Sequence, residues 1–231
     1  MVDEAATDAA NTRPSLFVEA GSTETFAGAD ALICTAGDGE AAAAAAAPLI
    51  WRCAPGSAVP AGARVCVADG GLGAAAQLRA AAGGAFVVPR VEVQRAARRY
   101  GFATDASGSG FSTYHLDPAT AAGFDVDDGG RQMSLADWLA EAARLGFAEV
   151  WLHSRDAAAT GRGFAADLLA RAHRLAPHLG LWLSGGGASA EDIERVASRP
   201  GLVALVVPQA ALATTGVGDP PDTETDGRPT A

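Results

Sequence analysis

Short apolar runs rich in β-branched residues alternate with amphipathic stretches along most of this chain. The clearest runs are Ala63–Ala68, Ala85–Val88, Phe102–Asp105, Ala148–Ser154, Leu181–Ser184 and Leu202–Val207. Their unbroken apolar character is that of strands buried on both faces of a parallel sheet. Between them lie helical stripes. Leu135, Trp138, Leu139, Ala142 and Leu145 recur at helical spacing behind Ser134, a predicted N-cap with Asp137 three residues on. Leu168, Leu169, Ala172 and Leu175 form a second stripe. Ser189 opens a third helix, with Glu191 and Asp192 in its first turn, where the helix dipole favours negative charge. Strand and helix in alternation predict right-handed β/α units around a parallel sheet. The expected class is α/β, a (βα)8 barrel over residues 15–213, flanked by disordered tails at 1–14 and 214–231.

Composition narrows what such a chain does. Apolar residues make up 49% and charged residues 19% of 231, enough for a real core. The net charge of −10 excludes a nucleic-acid binder held by a general positive field, although a local basic group can still hold a small phosphorylated ligand. Every basic residue is arginine, so lysine chemistry such as Schiff-base formation is excluded. Cys34, Cys53 and Cys66 lack metal or redox-motif spacing and are expected to be buried thiols. The histidines, at 115, 153, 173 and 178, assemble no metal cluster by spacing, and no cofactor is expected. Neither a signal peptide nor a membrane span is legible, so a cytoplasmic location is expected.

Two modules look alike. Asp69-Gly70-Gly71 leads through a helix to Val87-Val88-Pro89-Arg90, and Ser184-Gly185-Gly186 leads through a helix to Val206-Val207-Pro208-Gln209. They point to a barrel of related halves, or to coincidence in a chain rich in Gly, Ala and Val. Glycine turns entering helices leave backbone N–H groups for a phosphate, or simply permit tight turns.

The order of these features resembles the HisA/HisF superfamily, the isomerase and cyclase barrels of histidine biosynthesis. The stretch Asp137-Trp138 … Leu145-Gly146 … Glu149-Val150-Trp151-Leu152-His153-Ser154-Arg155-Asp156 … Thr160-Gly161 is similar to the family's strand-6 region. Leu183-Ser184-Gly185-Gly186 resembles its strand-7 turn, Asp69-Gly70-Gly71 the glycine run after strand 3, and Thr104-Asp105-Ala106 the end of strand 5. The resemblance implies acid/base catalysis on a phosphorylated ribose aminoaldose, by isomerisation or cyclisation (a lyase). Asp105 would be the catalytic acid/base and Glu19, ending strand 1 in Leu16-Phe17-Val18-Glu19, its partner. Gly70, Gly71, Arg90, Ser184, Gly185 and Gly186 would bind phosphate, and Ser154, Asp156 and Thr160 would complete the mouth. The rival is a barrel without catalysis that serves as a binding or regulatory partner.

Several positions depart from the family. Ser15–Gly71 is too short for three strands, two helices and their loops, which take roughly 80 residues. An early helix, most simply the first, is therefore expected to be missing or shortened. Ala31–Cys34 competes with Leu16–Glu19 as the first strand. The family's strand-6 loop has a second carboxylate and a glycine where this chain has Ala158 and Ala159. A glutaminase subunit partners the cyclases; Glu149 matches one gate position there, while Ala85 stands where the gate lysine belongs. His153 is expected either to be a hydrogen-bonded structural histidine or to point into the mouth. Residues 107–132 are a lid or a surface excursion.

Overall fold

The computed structural model describes residues 13–19, 29–35, 48–97, 100–104, 112–116, 123–161, 163–187 and 189–208. Residues 1–12 of the predicted N-terminal tail, the whole predicted C-terminal tail and Asp105 lie outside these residues. Eight parallel strands close on themselves: β1 (Ser15–Glu19), β2 (Ala31–Thr35), β3 (Leu49–Cys53), β4 (Val65–Ala68), β5 (Phe86–Arg95), β10 (Glu149–Ser154), β11 (Gly180–Ser184) and β12 (Leu202–Pro208). Pairing of β5 with β10 shuts the ring, with Trp151 beside Arg90 and His153 beside Glu92. Helices α1 (Gly71–Ala81), α2 (Leu135–Arg144), α3 (Arg155–Thr160), α4 (Ala166–Leu175) and α5 (Ala190–Ala197) lie between the strands. The fold is a TIM barrel.

Two apolar layers hold it. Inside the ring, Phe17, Ala31, Ile33, Ile50, Val65, Val67, Val88, Trp151, Trp182, Ala204 and Val206 pack together, one or two from each strand. Phe17 and Trp182 meet edge to face at 4.8 Å between centroids, and Trp151 lies 6.3 Å from Trp182. The axis is thus a packed core. Outside the ring, the alternate residues of the strands meet the helix stripes read above, with Trp138, Leu139, Ala142, Leu168, Leu169 and Ala172 fully buried. Ser134 and Ser189 cap α2 and α5 as predicted, accepting from the N–H of Asp137 and Asp192.

The strand count corrects the sequence reading. Four barrel strands, not three, precede Gly71. Leu16–Glu19 and Ala31–Cys34 are therefore not competitors; both become strands, as does Leu49–Cys53. Space is saved after β3, where residues 54–64 reach β4 through turns alone. Among the described residues the unit without a helix is the third; most of the first and second connections lies outside them. Asp69-Gly70-Gly71 therefore follows the fourth strand. The two glycine modules stand three units apart, and a duplicated half-barrel requires four, so that repeat fails as an account of the barrel.

The run expected as the fifth barrel strand is also displaced. Its described part forms β6 (Tyr100–Thr104), which pairs antiparallel with β7 (Ser112–Leu116) in a separate two-stranded sheet. The fifth barrel strand is β5, long enough that its upper half also pairs antiparallel with β8 (Phe124–Asp128), which turns at Gly129-Gly130 into β9 (Arg131–Ser134). The stretch 107–132 thus contains ordered strands.

Candidate functional site

Alternate residues of a strand share a face. On most barrel strands the last inward apolar residue is followed two places on by a polar one. Phe17 leads to Glu19, Ile50 to Arg52, Val67 to Asp69, Val88 to Arg90 and then Glu92, Trp151 to His153, and Trp182 to Ser184. A polar ring therefore caps the apolar axis at the C-terminal ends of the strands, the end at which barrel chemistry sits.

The ring is cross-linked by charge. Arg52 donates from Nε to Asp69 at 2.7 Å and from Nη1 to Glu19 at 3.2 Å, so one guanidinium stands between two carboxylates. Arg90 is held more loosely, 3.4 Å from Asp69 and 3.8 Å from Glu92. Its guanidinium lies over the Trp151 indole, 5.2 Å from the ring centroid. The Arg90 side chain is only 11% exposed, and its buried Nε has no hydrogen-bond partner. Burial, then the neighbouring Arg52 charge, lowers the Arg90 pKa from its ordinary value. Arg155 reaches the other oxygen of Glu92 at 3.5 Å. Three carboxylates thus face three guanidiniums, and the mouth has no strong net charge of either sign.

A second polar group lies beside the first. Ser184 is buried; its Oγ accepts from Trp151 Nε1 at 2.7 Å and lies 2.9 Å from His153 Nδ1. Burial, then the Arg90 charge, pushes the His153 pKa down to about 4, so the imidazole is neutral at physiological pH.

The predicted site residues scatter. Glu19, Arg90 and Ser184 stand in the ring. Asp105 is outside the described residues, and the strand expected to carry it is not a barrel strand. Gly70 and Gly71 form a left-handed corner at the start of α1, as expected, but the corner already holds an anion. Asp128, at the tip of the β8–β9 hairpin, accepts from Leu72 N at 2.8 Å and from Trp138 Nε1 at 2.8 Å. A Cβ on Gly71 would lie 2.7 Å from that carboxylate. The chain's own carboxylate takes the place that a phosphate would need.

The other corner is closed by packing. Added Cβ atoms on Gly185 and Gly186 would collide with the backbone of Ser154 and of Gly163 respectively, and α5 begins with Glu191 and Asp192. These glycines serve the close approach of neighbouring backbone. Gly185→Ala, at a φ of 94°, is therefore expected to cost about 1–3 kcal/mol, read by urea denaturation. Unchanged stability would restore an open corner.

Ser154, Asp156 and Thr160 do not join the ring. Ser154 faces outward, buried, and caps α3 by accepting from Ala157 N. Asp156 accepts from Arg95 N at 2.7 Å, and the Thr160 hydroxyl donates to carbonyls of its own helix. They border a separate cleft with Phe124 and Asp167. The cysteines are buried as expected; burial pushes the Cys66 thiol up to about 12. His173 is half-buried with its Nδ1 enclosed. Among the described residues, no three or more His, Cys, Asp or Glu side chains are placed to hold a metal, and no helix is long and apolar enough to cross a membrane.

No protein-family model matches this chain, and no curated protein matches it. Among solved structures, it is similar to a mutant tryptophan synthase α-subunit from the hyperthermophile Pyrococcus furiosus, at 14% identity and a TM-score of 0.47, over 87% of this chain and 89% of that one.

Sequence reasoning passed over Arg52, Asp69 and Glu92. The signal was present as strand parity: each lies two or four residues beyond an inward apolar residue.

Proposed function

We propose that the barrel mouth binds a small sugar phosphate and performs acid/base chemistry on it. The finer form of this reading is a divergent relative of the HisA/HisF barrels acting on a phosphorylated ribose aminoaldose. The chemistry would be aldose–ketose isomerisation, with cyclisation as the other outcome of the same groups. The observation that carries it is the under-bonded Arg90. A guanidinium has five N–H donors, and this one sits in a low-dielectric floor with two long contacts and an unpartnered Nε. An arriving phosphate monoester gains a charge-assisted, forked partner there. Glu19 and Asp69 supply the acid/base pair in place of the pair expected from the family, with Arg52 fixing their positions. The ligand would carry one phosphate, because both glycine corners are filled. A glutaminase partner is not part of this reading, since Phe17, Trp151 and Trp182 fill the axis along which ammonia would pass.

The closed corners favour a second reading, a barrel that keeps its shape for a partner and binds no metabolite. Thermal unfolding with ribose 5-phosphate, and with inorganic phosphate, separates the two. A ligand at one hundred times its Kd adds about 2.7 kcal/mol of stability. Ribose 5-phosphate is expected to raise the midpoint, and Arg90→Gln to weaken binding about tenfold or more. No response to any phosphate would leave the non-catalytic barrel.

A further inference from the structure

Glu92, His153 and Ser184 occupy one register row on three adjacent strands, all facing the mouth. The Ser184 hydroxyl has one proton to place. Trp151 Nε1 already donates to Oγ, and a buried hydroxyl proton requires an acceptor. Among the described residues the His153 ring nitrogen, 2.9 Å away, is the partner in place to take it. With Nδ1 accepting, a neutral imidazole carries its proton on Nε2. Trp151 and Ser184 thereby select the tautomer. The surrounding charges act on the same ring: Arg90 and Arg52 from β5 and β3 and Arg155 from α3 oppose a second proton, and Glu92 favours one.

We propose that His153 is the mouth's oxyanion donor, a neutral imidazole whose Nε2–H hydrogen-bonds the carbonyl oxygen of a bound sugar phosphate. This rests on the binding reading above, taken for a sugar phosphate with an open-chain carbonyl, and assigns the step within it. A carboxylate of the Glu19/Asp69 pair takes the proton from the carbon next to the carbonyl. The C–H electron pair becomes a C=C bond, and the carbonyl π pair moves onto oxygen. His153 stabilises that negative charge without surrendering its proton. Return of the same proton to the neighbouring carbon, with transfer of the hydroxyl proton between the two oxygens, completes an isomerisation that needs no oxidant or co-reactant. Preorganised donors of this kind act where charge develops.

The test compares 2-phosphoglycolate, whose planar carboxylate mimics an enediolate, with glycerol 3-phosphate, which has no such group. Calorimetry on the full chain is expected to show a preference for 2-phosphoglycolate that falls about tenfold in His153→Ala, with glycerol 3-phosphate binding unchanged. His153→Gln, which retains an N–H donor, is expected to keep part of the preference. Nitrogen-15 NMR of the imidazole reads the second half without any ligand. It is expected to show a neutral ring protonated on Nε2, and Ser184→Ala to release that tautomer. A ring protonated on Nδ1, or charged at neutral pH, overturns the proposal. A preference indifferent to His153 overturns it while the phosphate site stands. If neither ester binds the wild type, the binding reading falls and this role falls with it.

Discussion

Trp151→Ala is expected to destabilise the barrel by about 3–5 kcal/mol. Trp151 is fully buried at the centre of the inner core, so its removal leaves a cavity that Phe17 and Trp182 cannot close without moving. The loss reaches the mouth as well. The indole N–H holds Ser184, and the ring lies beneath Arg90. Trp151→Phe separates the two effects, since it keeps most of the volume while removing the donor. It is expected to cost about 1–2 kcal/mol and to disturb the His153 tautomer. Urea denaturation followed by circular dichroism gives both values. A loss below about 1 kcal/mol for alanine would mean that the axis is not a tightly packed core.

Asp128→Ala carries the next largest expected effect, about 2–4 kcal/mol. This carboxylate is 11% exposed and satisfies two donors from different elements, the first turn of α1 and the Trp138 indole of α2. Alanine leaves both without a partner, and each unsatisfied buried donor costs about 1–3 kcal/mol. Asp128→Asn keeps an acceptor and is expected to lose less. The denaturation midpoint is expected to fall with little change in slope. If alanine changes the midpoint negligibly, Asp128 is not what ties the hairpin to the glycine corner. If phosphate then binds the variant at Gly70-Gly71, the carboxylate has been standing in for that anion.

The site was less legible than the fold because its signals are of different range. The helix caps at Ser134 and Ser189 depend on residues three apart, and a local pattern suffices to place them. The early strands are individually visible, but by composition alone Leu16–Glu19 and Ala31–Cys34 compete for one position, although the ring needs both. One extra strand shifted every assignment between β3 and β5. It moved Asp69 from the head of a glycine turn to a partner of Arg52 and Arg90. Phe102–Asp105 has the apolar character of a barrel strand, and its described part pairs with β7 instead. Which neighbour a strand takes is a matter of distant backbone, beyond the reach of local composition.

Period and capping, both local, sufficed to determine from the amino-acid order alone that strands and helices alternate around a parallel sheet. The same order set which face of each strand is apolar, because side chains alternate whatever the partner. Only closure of the ring decided that Glu19, Arg52, Asp69, Arg90, Glu92, His153 and Ser184 share one mouth. Only the packing of the β8–β9 hairpin decided that Asp128 occupies the Gly70-Gly71 corner. Both outcomes join residues far apart in the chain, and their energies exist only once the backbone has brought those residues within hydrogen-bonding distance.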